Sequence, residues 1–191
     1  FVVFGATGDL STKKILPSFY KLYKGNLLPQ IFKIIAAART VHTNGSFVKT
    51  LEQLNGIEDN LPALPSRMTG RQEKSWQEFA AKIQYIQLDI AESKNLTDLA
   101  TALDTFEKES KVCTKRIFYM AISPQIYEAA ITNLGKTELN LGCLTHGEKA
   151  RIVVEKPFGH DLASSQKINS TLSRYFDEDQ IYRIDHFLGK E

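Results

Sequence analysis

Long hydrophobic runs are missing from this sequence. No stretch approaches the ~18 consecutive apolar residues of a membrane-spanning helix, so no membrane partner is expected. Clusters of one charge are missing too. No basic run is longer than two residues, as at Lys13-Lys14, and the net charge is only +2. Nucleic acid is therefore not an expected partner. Cysteine is scarce. Cys113 and Cys143 form no CxxC pair and sit in no Cys/His cluster, so nothing about them suggests a metal site or a disulfide framework. Two reduced thiols in a cytoplasmic protein are expected. No internal repeat and no low-complexity segment occurs.

What is present suits a packed α/β domain. Hydrophobic residues make up 42% of the 191 residues, enough for a core of one large domain or one domain and the start of another. Residue 1 already lies inside the apolar run Phe1-Val2-Val3-Phe4. The last residues, His186-Phe187-Leu188-Gly189-Lys190-Glu191, carry no helix-ending signal. A domain of a longer protein is expected, with any targeting peptide upstream.

Short β-branched and aromatic runs alternate with helix-period segments. Strands are expected at residues 1–4, 32–38, 83–88, 116–122, 151–155 and 180–184. Helices are expected at 11–24, 43–56, 71–82, 92–110, 124–134 and 161–175. Gly25-Asn26 stops the first helix, Thr43 or Asn44 starts the second, and Asp161 caps the last. Residues 60–70, with Pro62 and Pro65, read as a mobile loop, and residues 139–147 as another. The alternation predicts a doubly wound, mostly parallel sheet of the Rossmann type. Ligands in such sheets sit at the carboxyl ends of the strands, and the unusual residues of this sequence fall there.

Gly5 follows the first strand, Gly8 comes three residues later, and Ser11 begins the helix. A glycine turn between strand and helix lets backbone N–H groups approach a pyrophosphate, and the helix N-terminus adds partial positive charge. Asp9 stands where an N-cap would. The pattern is not GxGxxG, because Thr7 and Leu10 occupy two of the glycine positions. Plain connection chemistry uses similar turns. Its place at the first strand–helix junction favours nucleotide binding.

The second strand ends Ala36-Ala37-Ala38-Arg39-Thr40, without the acidic residue that usually holds the ribose 2′-hydroxyl of NAD. Arg39 offers a planar fork of donors suited to a 2′-phosphate, and Thr40 a hydroxyl. The plain alternative is a surface arginine after a strand. Beside a nucleotide turn, the expected cofactor is NADP.

Two further clusters stand out. Glu155-Lys156-Pro157-Phe158-Gly159 closes a strand. Pro157 restricts Lys156 to extended geometry and is a candidate for a cis bond. A charged strand end before a proline turn is the alternative. In Arg183-Ile184-Asp185-His186-Phe187-Leu188-Gly189-Lys190, a helical continuation would put His186 and Lys190 on one face, as two cations suited to a phosphate dianion.

Gly5-Ala6-Thr7-Gly8-Asp9-Leu10, the Glu155–Gly159 cluster and the Arg183–Lys190 cluster occur in an order and spacing that resemble the N-terminal coenzyme domain of the glucose-6-phosphate dehydrogenase family. Tyr119-Met120-Ala121-Ile122-Ser123-Pro124 and Ile126-Tyr127-Glu128-Ala129 extend the resemblance over essentially the whole chain. The resemblance implies oxidation of C1 of glucose 6-phosphate to 6-phosphogluconolactone, with hydride passed to NADP, in the oxidative pentose phosphate pathway. It implies that Gly5, Ala6, Thr7, Gly8, Asp9, Leu10 and Ser11 hold the pyrophosphate, that Arg39 holds the 2′-phosphate and that Tyr127 lies near the cofactor. Lys156 would contact both substrate and coenzyme. His186, Phe187 and Lys190 would line the sugar phosphate. Asp185 would orient the catalytic histidine. That histidine, the general base, belongs to a second domain, and His42, His146 and His160 lack its context. A carboxylate behind an imidazole fixes its tautomer and stabilises the imidazolium.

The family usually has tyrosine where Phe187 stands and alanine where Ser11 stands. Phe187 cannot donate to the sugar phosphate, so Phe187→Tyr in the full enzyme is expected to lower the Michaelis constant for it. The domain reading is residues 1–185 for the dinucleotide and 186–191 for the start of the substrate segment. The chain alone is expected to be inactive, and the full-length protein to be a homo-oligomer. Two alternatives stay open: another NADP-dependent sugar oxidoreductase, or a non-catalytic nucleotide-binding module.

Overall fold

In chain order, the computed structural model contains β1 (Val2–Phe4), a π-helical turn (Ser11–Ile15) running into α1 (Leu16–Lys24), β2 (Ile34–Ala38), α2 (Asn44–Asn55), α3 (Gly70–Ala80), β3 (Ile83–Gln87), α4 (Leu96–Ser110), β4 (Ile117–Met120), α5 (Tyr127–Lys136), β5 (Arg151–Glu155), α6 (Leu162–Tyr175) and β6 (Ile181–Ile184). The structure describes residues 1–55, 70–143, 148–156, 159 and 161–184. The chain divides into two units, residues 5–87 and residues 1–4 with 88–191.

In the first unit β2 pairs in parallel with β3, from Ile34↔Ile83 to Ala38↔Gln87. All five residues of β2 are buried, as a strand covered on both faces must be. Tyr20 of α1 packs edge-on to Trp76 of α3 at 5.1 Å and against Phe79 at 5.3 Å. The Trp76 indole N–H donates to Glu52 at 2.7 Å, so the one tryptophan buries its ring without stranding its polar atom. Thr43 is the N-cap of α2. Its Oγ1 accepts from Ser46 N at 3.1 Å, and Ser46 Oγ accepts from Thr43 N at 2.9 Å. That frees the Asn44 side chain to accept from Tyr85 N of β3 at 2.7 Å.

In the second unit β1 pairs with β4, β4 with β5 and β5 with β6, all in parallel. Phe4 stacks on Phe118 at 6.0 Å. Leu96, Leu99 and Leu103 form the buried stripe of α4. Gly135 lets α5 approach α6: a Cβ there would overlap the ring of Tyr175. Asp161 caps α6 as expected, in a box with Ser164 at 2.8 and 3.1 Å.

Parallel pairing with helices between strands is the architecture the alternation predicts. Several boundaries move. The helix expected from residue 92 starts at Leu96, because the Asp89 carboxylate first accepts Ala91 N at 3.0 Å and Glu92 N at 3.4 Å, holding a separate turn. The strand expected over 116–122 shortens to Ile117–Met120. The helix expected from Pro124 opens as a 3₁₀ turn, Pro124–Ile126. Most of the expected loop 60–70 lies outside the described residues, as do 144–147 of the loop 139–147.

The cysteine expectation is corrected. Cys113 and Cys143 are joined as a disulfide, with Cα atoms 5.7 Å apart and a sequence separation of 30. Each precedes a strand, Cys113 leading to β4 and Cys143 to β5, and the β4–β5 pairing brings them together. Spacing alone could not show that.

Candidate functional site

The glycine turn belongs to the first unit. Gly5 has φ +74°, a left-handed conformation that a side chain would strain. This lets Gly5 N and the buried Ala6 N both donate to Ala37 O of β2, at 2.9 and 3.1 Å. Gly8 N returns to Gly5 O at 2.9 Å, and a Cβ on Gly8 would stand 3.2 Å from that carbonyl. Thr12 then closes the first helical turn, its N and Oγ1 both donating to Gly8 O at 3.0 Å.

Asp9 is not the side-chain cap expected of it. It lies inside the first turn, exposed, with its carboxylate 3.6 Å from the Lys13 ammonium. The helix widens over Ser11–Ile15, where Leu16 N donates to Ser11 O. Pro17 has no N–H for the ordinary i→i−4 ladder, and the wide turn ends just before it. Ser11 is fully buried here, and its Oγ finds no hydrogen-bond partner among the described residues.

Arg39 and Thr40 leave the carboxyl end of β2 exposed. Thr40 Oγ1 is 3.4 Å from Thr7 Oγ1, so the glycine turn and the end of β2 meet. Two β3 side chains, which sequence reasoning missed, hold this corner. Gln87 Nε2 donates to Arg39 O at 3.2 Å, and the Tyr85 hydroxyl donates to Thr40 O at 2.5 Å. Burial raises the pKa of Tyr85, so it remains a donor. The period of two puts Tyr85 and Gln87 on one face of β3, but only the β2–β3 register reveals what they reach.

This corner fits the ribose and phosphate end of a dinucleotide. It has a turn with two glycines at a helix start, a buried hydroxyl unpartnered among the described residues, an exposed guanidinium and no acidic side chain at the end of β2. Among the described residues no group of three His, Cys, Asp or Glu is placed to hold a metal ion, and no helix is long and apolar enough to cross a membrane.

In the second unit the carboxyl ends of β4 and β5 carry Tyr119, Met120, Glu155 and Lys156. The Tyr119 hydroxyl donates to the Glu155 carboxylate. Burial, then this bond, raise the Tyr119 pKa. Tyr127 is buried, and its hydroxyl donates to Met120 O at 3.0 Å. As placed, Tyr127 ties strand ends together and turns no hydroxyl outward. Lys156 is exposed, and its N–H continues the β5–β6 ladder by donating to Ile184 O at 3.1 Å. Tyr119 and Glu155 were legible as parts of motifs; their bond, 36 residues apart in sequence, was not. Asp185, His186, Phe187 and Lys190 lie outside the described residues, as do Pro157, His146 and His160.

Residues 2–191 match the family model described as glucose-6-phosphate dehydrogenase, NAD binding domain. The whole chain is 37% identical to a glucose-6-phosphate 1-dehydrogenase of Caenorhabditis elegans, covering 34% of that protein. It is 38% identical to the same-named protein of Treponema pallidum, covering 35%. A solved glucose-6-phosphate dehydrogenase in complex with its substrate glucose-6-phosphate superposes over the whole chain with a TM-score of 0.81 at 32% identity, matching 37% of its own length. The glucose-6-phosphate 1-dehydrogenase of Mycobacterium avium superposes with a TM-score of 0.76 at 29% identity, over 98% of this chain and 36% of that one. The chain thus spans about a third of the length of the relatives it matches.

Proposed function

The chain belongs to the glucose-6-phosphate dehydrogenase family, as its NAD-binding domain, and from that premise we propose that it is the coenzyme part of an NADP-dependent dehydrogenase oxidising C1 of glucose 6-phosphate to the lactone. One observation carries the choice of coenzyme. The exposed Arg39 stands at the acid-free end of β2, and its neighbour Thr40 touches Thr7 of the glycine turn at 3.4 Å. A guanidinium there pairs with a 2′-phosphate, where a carboxylate would repel it.

Gly5 to Ser11 would hold the pyrophosphate with the helix start and with the turn's N–H groups beyond those bonded to Ala37 O and Gly5 O, and the buried Ser11 Oγ, unpartnered among the described residues, would add a hydroxyl. When bound, NADP accepts the hydride. Lys156, at the end of β5, would contact sugar and coenzyme as a point charge and donor. His186 and Lys190 would bind the sugar phosphate. Phe187 in the same motif has no hydroxyl to contribute. Asp185 would orient an imidazole supplied by the remainder of the full-length protein, raising its basicity toward the C1 hydroxyl.

Steady-state reduction of NADP and of NAD by the full-length protein, with several hexose phosphates, tests this reading. Preference for NADP with glucose 6-phosphate is expected. A clear preference for NAD, or for an unphosphorylated sugar, would overturn it.

A further inference from the structure

We propose that Tyr85, aided by Gln87, determines coenzyme specificity as a positioning residue, by fixing the backbone that carries Arg39 and Thr40. The inference rests on the 2′-phosphate reading above. The last β2–β3 pair is Ala38↔Gln87. Arg39 and Thr40 therefore step past the β2–β3 ladder. Side chains of β3 take over. Gln87 donates to Arg39 O at 3.2 Å. Tyr85 donates to Thr40 O at 2.5 Å, with Ala38 O 3.3 Å away.

Tyr85 is itself a rigid post. It is buried, its ring lies 4.8 Å from Phe47 and edge-on to His42 at 5.4 Å, and its N–H is held by Asn44. A long arginine side chain gains most from a fixed root, because a backbone ordered before binding need not be ordered by the ligand. The effect must be selective. Pyrophosphate contacts come from the glycine turn, whose own bonds run to Ala37 and within the turn, not to Tyr85. NAD carries no 2′-phosphate for Arg39 to grip, so displacing Arg39 costs NAD little. A residue with a merely structural role would weaken both coenzymes.

The test uses the full-length protein and calorimetric binding of 2′,5′-ADP and of 5′-AMP, alongside Michaelis constants for NADP and NAD. Tyr85→Phe removes one hydroxyl and keeps the packed ring. It is expected to weaken 2′,5′-ADP about three- to tenfold, the net worth of one hydrogen bond, with 5′-AMP unchanged to within about twofold. Gln87→Ala, at an exposed position, should shift binding in the same direction by less, and carries the test if Tyr85→Phe misfolds. Equal losses of both nucleotides, or no loss of 2′,5′-ADP while Arg39→Asp still discriminates, would overturn the inference alone. Arg39→Asp losing both nucleotides equally would overturn the 2′-phosphate reading and this inference with it.

Discussion

The hydroxyl of Tyr127 donates to the carbonyl of Met120 at 3.0 Å and lies 3.4 Å from the backbone nitrogen of Glu155. The first residue of α5 thereby joins the carboxyl ends of β4 and β5, one residue before Lys156. Burial raises the Tyr127 pKa, which keeps the donor protonated across the working pH range. Tyr119, bonded to the Glu155 side chain, adds a second tie at the same place.

Tyr127→Phe leaves the Met120 carbonyl buried without that donor. A loss of about 1–2 kcal/mol in stability is expected, since a buried acceptor keeps its desolvation penalty when its partner goes. Urea unfolding of the full-length protein, with and without the hydroxyl, checks this. An unchanged midpoint would show that the tie is dispensable.

Arg116 is buried and bonds Glu107 at 3.0 and 3.2 Å. Burial by itself would raise the Glu107 pKa; the bonds from Arg116 and Thr114 outweigh it and hold the carboxyl below its ordinary value. A carboxylate depressed in the folded state stabilises above its unfolded pKa, and that stability is lost as pH falls through the folded value. Melting temperatures taken from about pH 7 down to about pH 3 should fall less steeply for Glu107→Gln than for the wild type. Arg116→Met should cost about 3 kcal/mol at neutral pH, because it leaves the largely buried Glu107 carboxylate with Thr114 as a donor but without its counter-charge.

The Cys113–Cys143 bond closes a loop with a sequence separation of 30. Chain entropy assigns such a closure about 3–4 kcal/mol. Reductant is expected to lower the melting temperature of the full-length protein, and Cys113→Ser to lower it in the same way without responding to reductant. Reactive thiols at both positions before reduction would contradict the pairing.

Gly5→Ala puts a side chain at φ +74°. A strain of about 1–2 kcal/mol is expected, together with weaker binding of NADP and NAD alike, because in the proposed function the turn serves the pyrophosphate common to both. This contrasts with Tyr85→Phe, whose effect should be confined to the 2′-phosphate. Calorimetric titration of both coenzymes separates the two cases.

Local chemistry made much of the molecule legible. The alternation of apolar runs gave the α/β class, and Asp161 and Thr43 announced helix starts, because a cap acts within three residues. The glycine turn and Arg39 were readable for the same reason: backbone freedom and charge type are properties of single positions. Reading failed where a second signal lay nearby, as when Asp89 held its own turn and delayed α4, or when Pro17 widened the helix behind Ser11. Contacts between distant residues waited for the fold. Tyr85 meets Thr40 across 45 residues, Tyr119 meets Glu155 across 36, and Cys113 meets Cys143 across 30. The sequence by itself determined that a glycine turn joins the first strand to the first helix and that a cation follows the second strand. Only the tertiary structure decided what holds that cation in place, because strand register, which no local pattern encodes, sets which side chains reach past the end of β2.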